Sequence, residues 1–329
     1  MLAEKMFSRR KFIKNSAAVT AAFGSGVIFP ESSKGKKTSY ERGYADKIKI
    51  AAVQMNAMRE NLEYNLEVHR RISREAAADG CNIILFPELS VTAHYGHVSA
   101  TSLAEEATVG RIYKTMQGLA KELNVFIAYG FCEILHGTHY NSEAIVGPEG
   151  LMGIHRKVHA SRDEYIYFRM GRALEVFDIG LCRIGILICY DANFFEAWRV
   201  LALKNADILL LPHASRSAPG KEVPKDRQVR QLKRTVENMP GKFGVYAADN
   251  NVFAVYANQV DYNGHSTHSG GAYICGPDGK VIVKSKPVLE DHWISAEVNL
   301  KVRDKRRAGT NSLMKDRRPE VYGELTKMI

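Results

Sequence analysis

The sequence predicts an α/β protein in which helices cover mixed β-sheets. Apolar runs of strand length, such as residues 82–86, 184–188 and 206–212, alternate with stretches of helical spacing, which is the pattern of sheets covered by helices. A turn signal at residues 276–279 indicates a hairpin, so we expect mixed rather than purely parallel sheets. A doubly wound dinucleotide fold is disfavoured because its glycine fingerprint follows none of the predicted strands.

The first 46 residues predict an export signal and a linker. The segment Ser8-Arg-Arg-Lys-Phe-Ile-Lys14 precedes an Ala/Gly-rich apolar run over residues 16–29, and this order resembles a twin-arginine signal. We therefore interpret residues 1–30 as a signal peptide for the twin-arginine export machinery, without an evident cleavage site, and residues 31–46 as a linker. The expected location is periplasmic or extracellular.

The basic charge of the chain does not indicate a nucleic-acid-binding protein. The formal net charge is +10, but five basic residues and one acidic residue lie within residues 1–30, and the remaining charge is scattered. No basic stripe is interleaved with aromatic residues, so we expect no nucleic-acid partner. The five cysteines are an odd number without tight spacing, which does not indicate a disulfide framework.

Residues 47–300 contain the predicted strands and helices of one folded domain. The apolar patterns predict strands over residues 47–54, 82–86, 125–133, 140–146, 182–189, 206–212, 252–260, 271–284 and 292–298, and helices over residues 61–79, 103–123, 194–205 and 226–238. Residues 214–242 are longer and more charged than a simple connection requires, so they are either a solvated insertion or a lid. Residues 301–329 are polar and basic, and we interpret them as a tail or as an arm on a neighbouring subunit.

Three ionisable residues each follow a predicted strand. Glu88 follows an apolar strand and a proline, Lys157 closes a strand-like segment, and Cys189 ends a buried strand just before a helix. Such strand ends are where α/β folds place their sites. A thiol of ordinary pKa, about 8.5, is mostly protonated at neutral pH, so a nucleophilic cysteine needs a base and a neighbouring cation. A carboxylate and an ammonium group supply both functions.

The segments around these residues resemble those of the nitrilase, or carbon–nitrogen hydrolase, superfamily. They are Leu85-Phe-Pro-Glu88-Leu, His155-Arg-Lys157-Val-His159 and Leu187-Ile-Cys189-Tyr-Asp191, in the order in which the family has them. The resemblance implies a four-layer αββα sandwich of two mixed β-sheets that hydrolyses a non-peptide C–N bond of a small amide or carbamoyl compound. It also implies that no cofactor or metal is needed and that the chain forms a homodimer or a higher homo-oligomer.

The resemblance assigns a role to each matching residue. Glu88 is implied to be the general base and later the acid, Lys157 the stabiliser of the tetrahedral intermediate, and Cys189 the nucleophile. Glu164 matches the second glutamate of the family, which orients the lysine and the substrate. The backbone N–H of Tyr190 is implied to donate to the oxyanion.

Departures from the family pattern bear on the substrate. The nitrile-cleaving branch has Cys-Trp-Glu where this chain has Cys189-Tyr-Asp191, and the N-carbamoyl amino acid branch has an arginine where this chain has Ala192 and Asn193. We therefore expect a neutral or amine-bearing amide or ureido substrate, although a loop arginine (Arg162, Arg169 or Arg216) could hold a carboxylate. The candidate substrate-contacting residues are Tyr95, Tyr165, Asp191, Asn193, Phe194 and His213.

Other functions remain open at this point. The same cysteine could transfer its acyl group to an amine, and N-carbamoyl amino acid hydrolysis is a further alternative. A nitrilase proper, a cysteine protease and a catalytically silent binding module are disfavoured. His155 and His159 flank Lys157 at the spacing of a strand face, and we interpret them as hydrogen-bonded polar residues rather than metal ligands.

Overall fold

The computed structural model of the protein describes residues 44–93, 99–310 and 312–327. The predicted signal peptide over residues 1–30 and most of the predicted linker therefore lie outside the described residues. Among the described helices, none is both long and apolar enough to cross a membrane.

Fourteen strands are present in the described part of the chain. They are β1 (Lys47–Met55), β2 (Ile83–Leu85), β3 (Phe126–Leu135), β4 (Thr138–Gly147), β5 (Gly150–Arg156), β6 (Val176–Asp178), β7 (Arg183–Ile186), β8 (Ile208–His213), β9 (Arg216–Ala218), β10 (Phe253–Tyr262), β11 (Thr267–Ser269), β12 (Ala272–Cys275), β13 (Val281–Lys284) and β14 (His292–Asn299).

Twelve of these strands form two six-stranded mixed sheets of similar design, and β9 and β11 pair with each other beside β10. The first has the order β5-β4-β3-β2-β1-β14, and the second has the order β6-β7-β8-β10-β12-β13. In each sheet the two central pairings are parallel and the outer ones are antiparallel. The sheets are joined where the end of β1 pairs with β10, at Gln54 with Asn258 and Met55 with Gln259.

Seven α-helices accompany the strands within the described residues. They are α1 (Leu62–Ala78), α2 (Ser99–Ser102), α3 (Arg111–Leu123), α4 (Glu164–Tyr167), α5 (Phe195–Leu203), α6 (Lys225–Asn250) and α7 (Leu300–Ala308). Helix α1 begins where the sequence predicts, because the side chain of Asn61 accepts a hydrogen bond from the N–H of Tyr64 and so caps a helix end.

Alternate residues along each sheet pack on opposite sides, and this produces the four layers. Val53 and Met55 of β1 pack in one core cluster with Leu66 and Ile72 of α1 and with Met116 of α3. In the second sheet, the outward-facing apolar residues of β8 and β10 pack with α5 and α6 in a separate cluster. The predicted αββα sandwich of two mixed sheets is confirmed. Each sheet is covered on one face by helices and on the other by the second sheet, which explains why the strands are almost continuously apolar.

Two of the predicted helices have different bounds. Residues 103–110 precede α3 instead of belonging to it, so the helix predicted over 103–123 begins at Arg111. Helix α6 extends the helix predicted over 226–238 to Asn250, through Pro240. Leu232, Val236, Phe243 and Ala247 are all buried at helical spacing, and this burial outweighs the lost hydrogen bond at proline.

The segment after residue 300 begins with a helix that packs on the sandwich. Arg303 of α7 is buried, forms an ion pair of 2.8 Å with Asp207, and donates to the carbonyl of Ala206. Part of the predicted tail or arm, residues 301–329, is therefore anchored to its own domain. The role of the remaining residues as an arm on a neighbour stays a prediction.

Candidate active site

Three strands deliver the predicted catalytic residues to one edge of the sandwich. Glu88 follows β2, Lys157 directly follows β5, and Cys189 follows β7. Strands β2 and β5 run in the same direction, since β3 is parallel to β2 and two antiparallel pairings follow. The side chains of Glu88 and Lys157 consequently meet although they are 69 positions apart in sequence.

Cys189 occupies a strained turn between strand and helix. It opens a 3₁₀ turn over Cys189–Asn193, and its φ of 49° lies in the left-handed region. That region disfavours residues with a Cβ, and strain of this kind is concentrated at functional sites. Cys189 is partly exposed as a residue and lines the cavity described below, whereas the four other cysteines are buried, so Cys189 is the cysteine that a substrate can reach.

Lys157 lies between two buried carboxylates. Its Nζ donates to Oε1 of Glu88 at 2.6 Å and to Oε1 of Glu164 at 2.8 Å, and all three residues are almost completely buried. Burial opposes the charge of Lys157, but the negative charges of Glu88 and Glu164 outweigh it and hold the pKa of this ammonium well above its ordinary value. The lysine is therefore a fixed cation, as a stabiliser of negative charge must be.

Two groups that sequence reasoning missed complete the surroundings of Glu88. Asn141 Nδ2 donates to Oε1 of Glu88 at 2.8 Å and to Glu164 at 3.2 Å. The backbone N–H of Ala214 donates to Oε2 of Glu88 at 2.8 Å. A signal for the first was present, because Asn141 and Glu143 stand at period two in a strand that is otherwise mostly apolar, and buried polar residues are uncommon.

The thiol of Cys189 is protonated in the resting site. Burial raises its pKa, the charge of Glu88 raises it further, and the ammonium of Lys157 lowers it. The net direction is upward, so the thiol needs a base in order to react. Glu88 is the carboxylate whose charge acts on it most strongly.

Asp191 connects the cysteine turn to the lysine strand. Its carboxylate is fully buried and accepts hydrogen bonds from the N–H groups of Ile188 (3.2 Å), Val158 (3.4 Å) and His159 (2.8 Å). The rings of His155 and His159 lie against the same carboxylate at 3.3 and 2.8 Å. Burial raises its pKa, but the hydrogen bonds from the two histidines outweigh this and hold the pKa well below the ordinary value.

A cavity of about 390 Å³ opens beside Cys189. This is the size of a pocket for a small molecule. Its lining comes from three segments, namely Lys157, Ser161 and Arg162 after β5, Cys189, Tyr190 and Asn193 in the 3₁₀ turn, and His213, Ala214, Ser215 and Arg216 after β8. We refer to this space as the cavity.

The candidate substrate-contacting residues have different positions. Asn193 and His213 line the cavity, and burial lowers the pKa of His213 to about 4, so its ring is neutral. Asp191, Phe194 and Tyr165 are not among the lining residues. Asp191 is predicted to contact substrate, whereas its carboxylate is enclosed by protein donors.

Phe194 and Tyr165 also differ from the expectation. Phe194 stacks on the ring of His159 with a centroid distance of 3.9 Å, and Tyr165 is 60% exposed on α4. Tyr95 lies outside the described residues. The backbone N–H of Tyr190 belongs to the 3₁₀ turn beside the thiol, and its role as an oxyanion donor stays a prediction.

Comparison with known protein families gives an extensive match. The family model for carbon–nitrogen hydrolases matches residues 49–308. Among characterised relatives, the chain is 29% identical over 285 residues to a nitrilase of Pyrococcus abyssi, covering 84% of this chain and 99% of that protein. It is also 29% identical over 296 residues to an N-carbamoylputrescine amidase of Arabidopsis thaliana, covering 87% of this chain and 97% of that protein.

Solved structures share the fold at lower sequence identity. A variant of the amidase from Nesterenkonia sp. AN1, showing Michael addition of acrylamide at its active-site cysteine, superposes with a TM-score of 0.69 and 18% identity. The match covers 84% of this chain and 99% of that one. This similarity establishes the sandwich architecture.

Proposed function

The chain belongs to the carbon–nitrogen hydrolase family and is an enzyme that acts on C–N bonds other than peptide bonds, and from this premise we propose that it hydrolyses a small amide or carbamoyl compound through a thioester on Cys189. The observation that carries the proposal is the buried contact of Lys157 with Glu88 at 2.6 Å beside Cys189, which is partly exposed. Lys157 and Cys189 line the cavity and Glu88 lies behind Lys157, which supports the roles of fixed cation, nucleophile and base.

The first half of the proposed reaction forms the thioester. Cys189 Sγ attacks the substrate carbonyl carbon while its proton passes to Glu88, and an S–C bond forms as the C=O becomes an oxyanion. The ammonium of Lys157 and the backbone N–H of Tyr190 stabilise that oxyanion. The intermediate then collapses, the C–N bond breaks, and Glu88 returns its proton to the leaving ammonia or amine.

The second half releases the product. A water molecule attacks the thioester carbon while Glu88 accepts one of its protons, and the C–S bond breaks. The proton on Glu88 returns to the sulfur, which restores the neutral thiol and frees the acid. Atoms and charges balance over the cycle, and no redox step is involved.

The test is a covalent intermediate that depends on Cys189. The protein is incubated with a panel of amides and carbamoyl compounds, quenched in acid and weighed by intact mass spectrometry. We expect an adduct of the acyl mass on the wild type and none on Cys189→Ala, while Cys275→Ala, which removes a buried thiol, still forms it. An adduct on Cys189→Ala, or free acid produced at the wild-type rate by that variant, would refute the mechanism.

The released species distinguishes hydrolysis from transfer. Free acid together with ammonia or amine supports hydrolysis. A new amide formed with an added amine would favour the acyl-transfer alternative instead.

We further propose that residues 1–30 direct twin-arginine export and that the mature enzyme is a homodimer. The order of basic, apolar and turn-forming segments supports the first proposal, and the polar, basic residues that follow α7 support the second as a segment able to lie on a neighbour. Light scattering should give about twice the mass of the mature chain, and a monomeric mass at micromolar concentration would argue against the dimer.

A further inference from the structure

The charged side chains that line the cavity are basic in the described part of the chain. Its charged lining residues within the described part of the chain are Lys157, Arg162 and Arg216, and its described lining contains no aspartate or glutamate. Glu88 and Glu164 lie behind Lys157 and are held by its ammonium. The charged side chains that surround a bound substrate in the described lining are therefore all positive.

The two arginines reach the cavity from segments other than the Cys189 turn. Arg162 lies on the loop between Lys157 and α4, where its φ of 53° fixes the chain in the left-handed region. Arg216 opens β9, which pairs with β11. Both residues are therefore positioned by backbone structure that does not depend on the cysteine turn.

The side chain of Arg216 is more buried than that of a typical surface arginine. Its side chain is 9% exposed, and its guanidinium forms an ion pair with Asp163 at 3.6 Å. Asp163 is itself 44% exposed, so it holds the guanidinium at the cavity wall while its own charge faces solvent. A guanidinium presents a planar fork of N–H donors that matches a carboxylate.

Besides Lys157 and the two arginines, a fourth cation stands at the rim. Lys242 of α6 donates from Nζ to Oδ1 of Asn193 at 2.5 Å, and Asn193 lines the cavity. A protonated amine on a substrate would thus approach Arg162, Arg216 and Lys242, which come from three segments. A carboxylate would approach the same three with favourable charge.

From these positions we infer that Arg162 and Arg216 form a subsite for a carboxylate at the end of the substrate away from the scissile bond. The inference rests on the proposed function and deepens it. The substrate class is then a carboxylic acid that carries an amide or carbamoyl group at its other end. The absence of arginine at Ala192 and Asn193 predicted a neutral or amine-bearing substrate. A carboxylate-bearing substrate replaces that prediction, because Ala192 and Asn193 follow the cysteine directly and the two arginines come from other segments.

The experiment compares three carbamoyl compounds of equal length, which end in a carboxylate, a methyl group or a protonated amine, over a short series of spacers. We expect the carboxylate compound to have the highest kcat/KM, by about 30-fold or more over the methyl compound, since losing a buried charge partner has an effect of this size. Arg216→Gln and Arg162→Gln should each remove most of that advantage, because kcat/KM should fall much further for the carboxylate compound than for the methyl compound. Arg172→Gln, which changes an exposed arginine outside the cavity lining, is the matched control and should change neither.

A binding measurement keeps the inference testable without turnover. In Cys189→Ala, calorimetry should detect the carboxylate compound binding at least about 30-fold more tightly than the methyl compound, and Arg216→Lys should retain part of this difference because it keeps the charge without the fork. Turnover with equal kcat/KM for all three compounds would overturn the subsite and leave the proposed hydrolysis standing. Arginine-dependent binding without turnover of any compound would support the subsite and refute the hydrolysis, and absence of both would overturn both.

Discussion

Replacing Asp191 by asparagine tests whether the buried carboxylate positions the catalytic residues. An asparagine amide turns one acceptor oxygen into an NH₂ donor. If this group takes the place of Oδ2, it faces the N–H groups of Ile188 and Val158, which donate at 3.2 and 3.4 Å. Hydrogen bonds to a charged group each contribute about 1.5–3 kcal/mol, and two long ones at the low end of that range give a loss of about 3 kcal/mol.

The expected effects of Asp191→Asn are a lower melting temperature and slower catalysis. A loss of about 3 kcal/mol corresponds to a fall of about 6–12 °C for a domain of this size. Asp191 ties the turn that carries Cys189 to the strand that carries Lys157, and a displacement near 1 Å can cost about 100-fold in rate. We therefore expect kcat/KM to fall about 100-fold when it is measured well below the melting temperature.

The matched control for this prediction is Asp207→Asn. Asp207 is also buried, accepts a hydrogen bond from the N–H of Arg183 at 2.7 Å and pairs with Arg303, and neither of these partners belongs to the Cys189 turn or lines the cavity. It should lower the melting temperature by a similar amount and leave kcat/KM within about twofold. If Asp191→Asn lowers the melting temperature while kcat/KM stays at the wild-type value, the positioning role is wrong.

The pH dependence of stability gives a second check on Asp191. Its pKa in the folded protein is held below the ordinary value of 3.8, so its contribution to stability is present above that ordinary value and is lost as the pH falls through the folded pKa. The difference in the free energy of unfolding between the wild type and Asp191→Asn should consequently shrink in acid. A difference that stays constant down to the lowest pH at which the protein folds would contradict this sign.

Three further predictions concern the base, a buried acid and the leader. Glu88→Gln should lower kcat/KM by about 10²–10⁴-fold without changing the melting temperature greatly, and a steady-state assay showing less than tenfold loss would argue against its role as base. Glu143 is fully buried, and its burial together with the charge of Glu88 raises its pKa well above the ordinary 4.5. The free energy of unfolding should therefore decrease as the pH rises above 4.5, by about 1.4 kcal/mol per pH unit, until the pH reaches the pKa of Glu143 in the folded protein. Urea midpoints over this range should show that Glu143→Gln removes the decrease, and parallel curves for the two proteins would contradict it. Replacing Arg9 and Arg10 by lysine should leave the protein in the cytoplasm on fractionation, whereas unchanged export would mean that the pair is only basic surface.

The positions of Glu88, Lys157 and Cys189 at strand ends could be predicted because each follows a segment whose sequence is typical of a strand. Strand period and the alternation of strands with helices are local properties, and they sufficed to predict an α/β fold with mixed sheets, whereas the four layers were implied by the family resemblance. The course of α6 through Pro240 was not predictable in this way. The helix continues because Phe243 and Ala247 are buried against the second sheet, which is a tertiary effect that outweighs the local signal.

The partners of the catalytic residues were harder to predict for a related reason. Asn141 contacts Glu88 from a strand 53 positions away, and Ala214 does so from 126 positions away through a backbone N–H that any residue would supply. Every residue except proline carries a backbone N–H, so the sequence does not show which of them donates to Glu88. Arg216 was named only as one of three loop arginines, because the pairing of β9 with β11 that places it rests on strands too short to show a period.

The protonation states in the resting site place a limit on the mechanism. A preformed thiolate would be favoured by Lys157, but Glu88 and Glu164 already neutralise that ammonium at 2.6 and 2.8 Å, and the pKa of the Cys189 thiol is raised rather than lowered. In the proposed reaction, proton transfer to Glu88 must therefore accompany attack on the carbonyl. Once Glu88 is neutral, Lys157 loses one counter-charge just as the oxyanion appears, so the cation becomes available at the step that needs it.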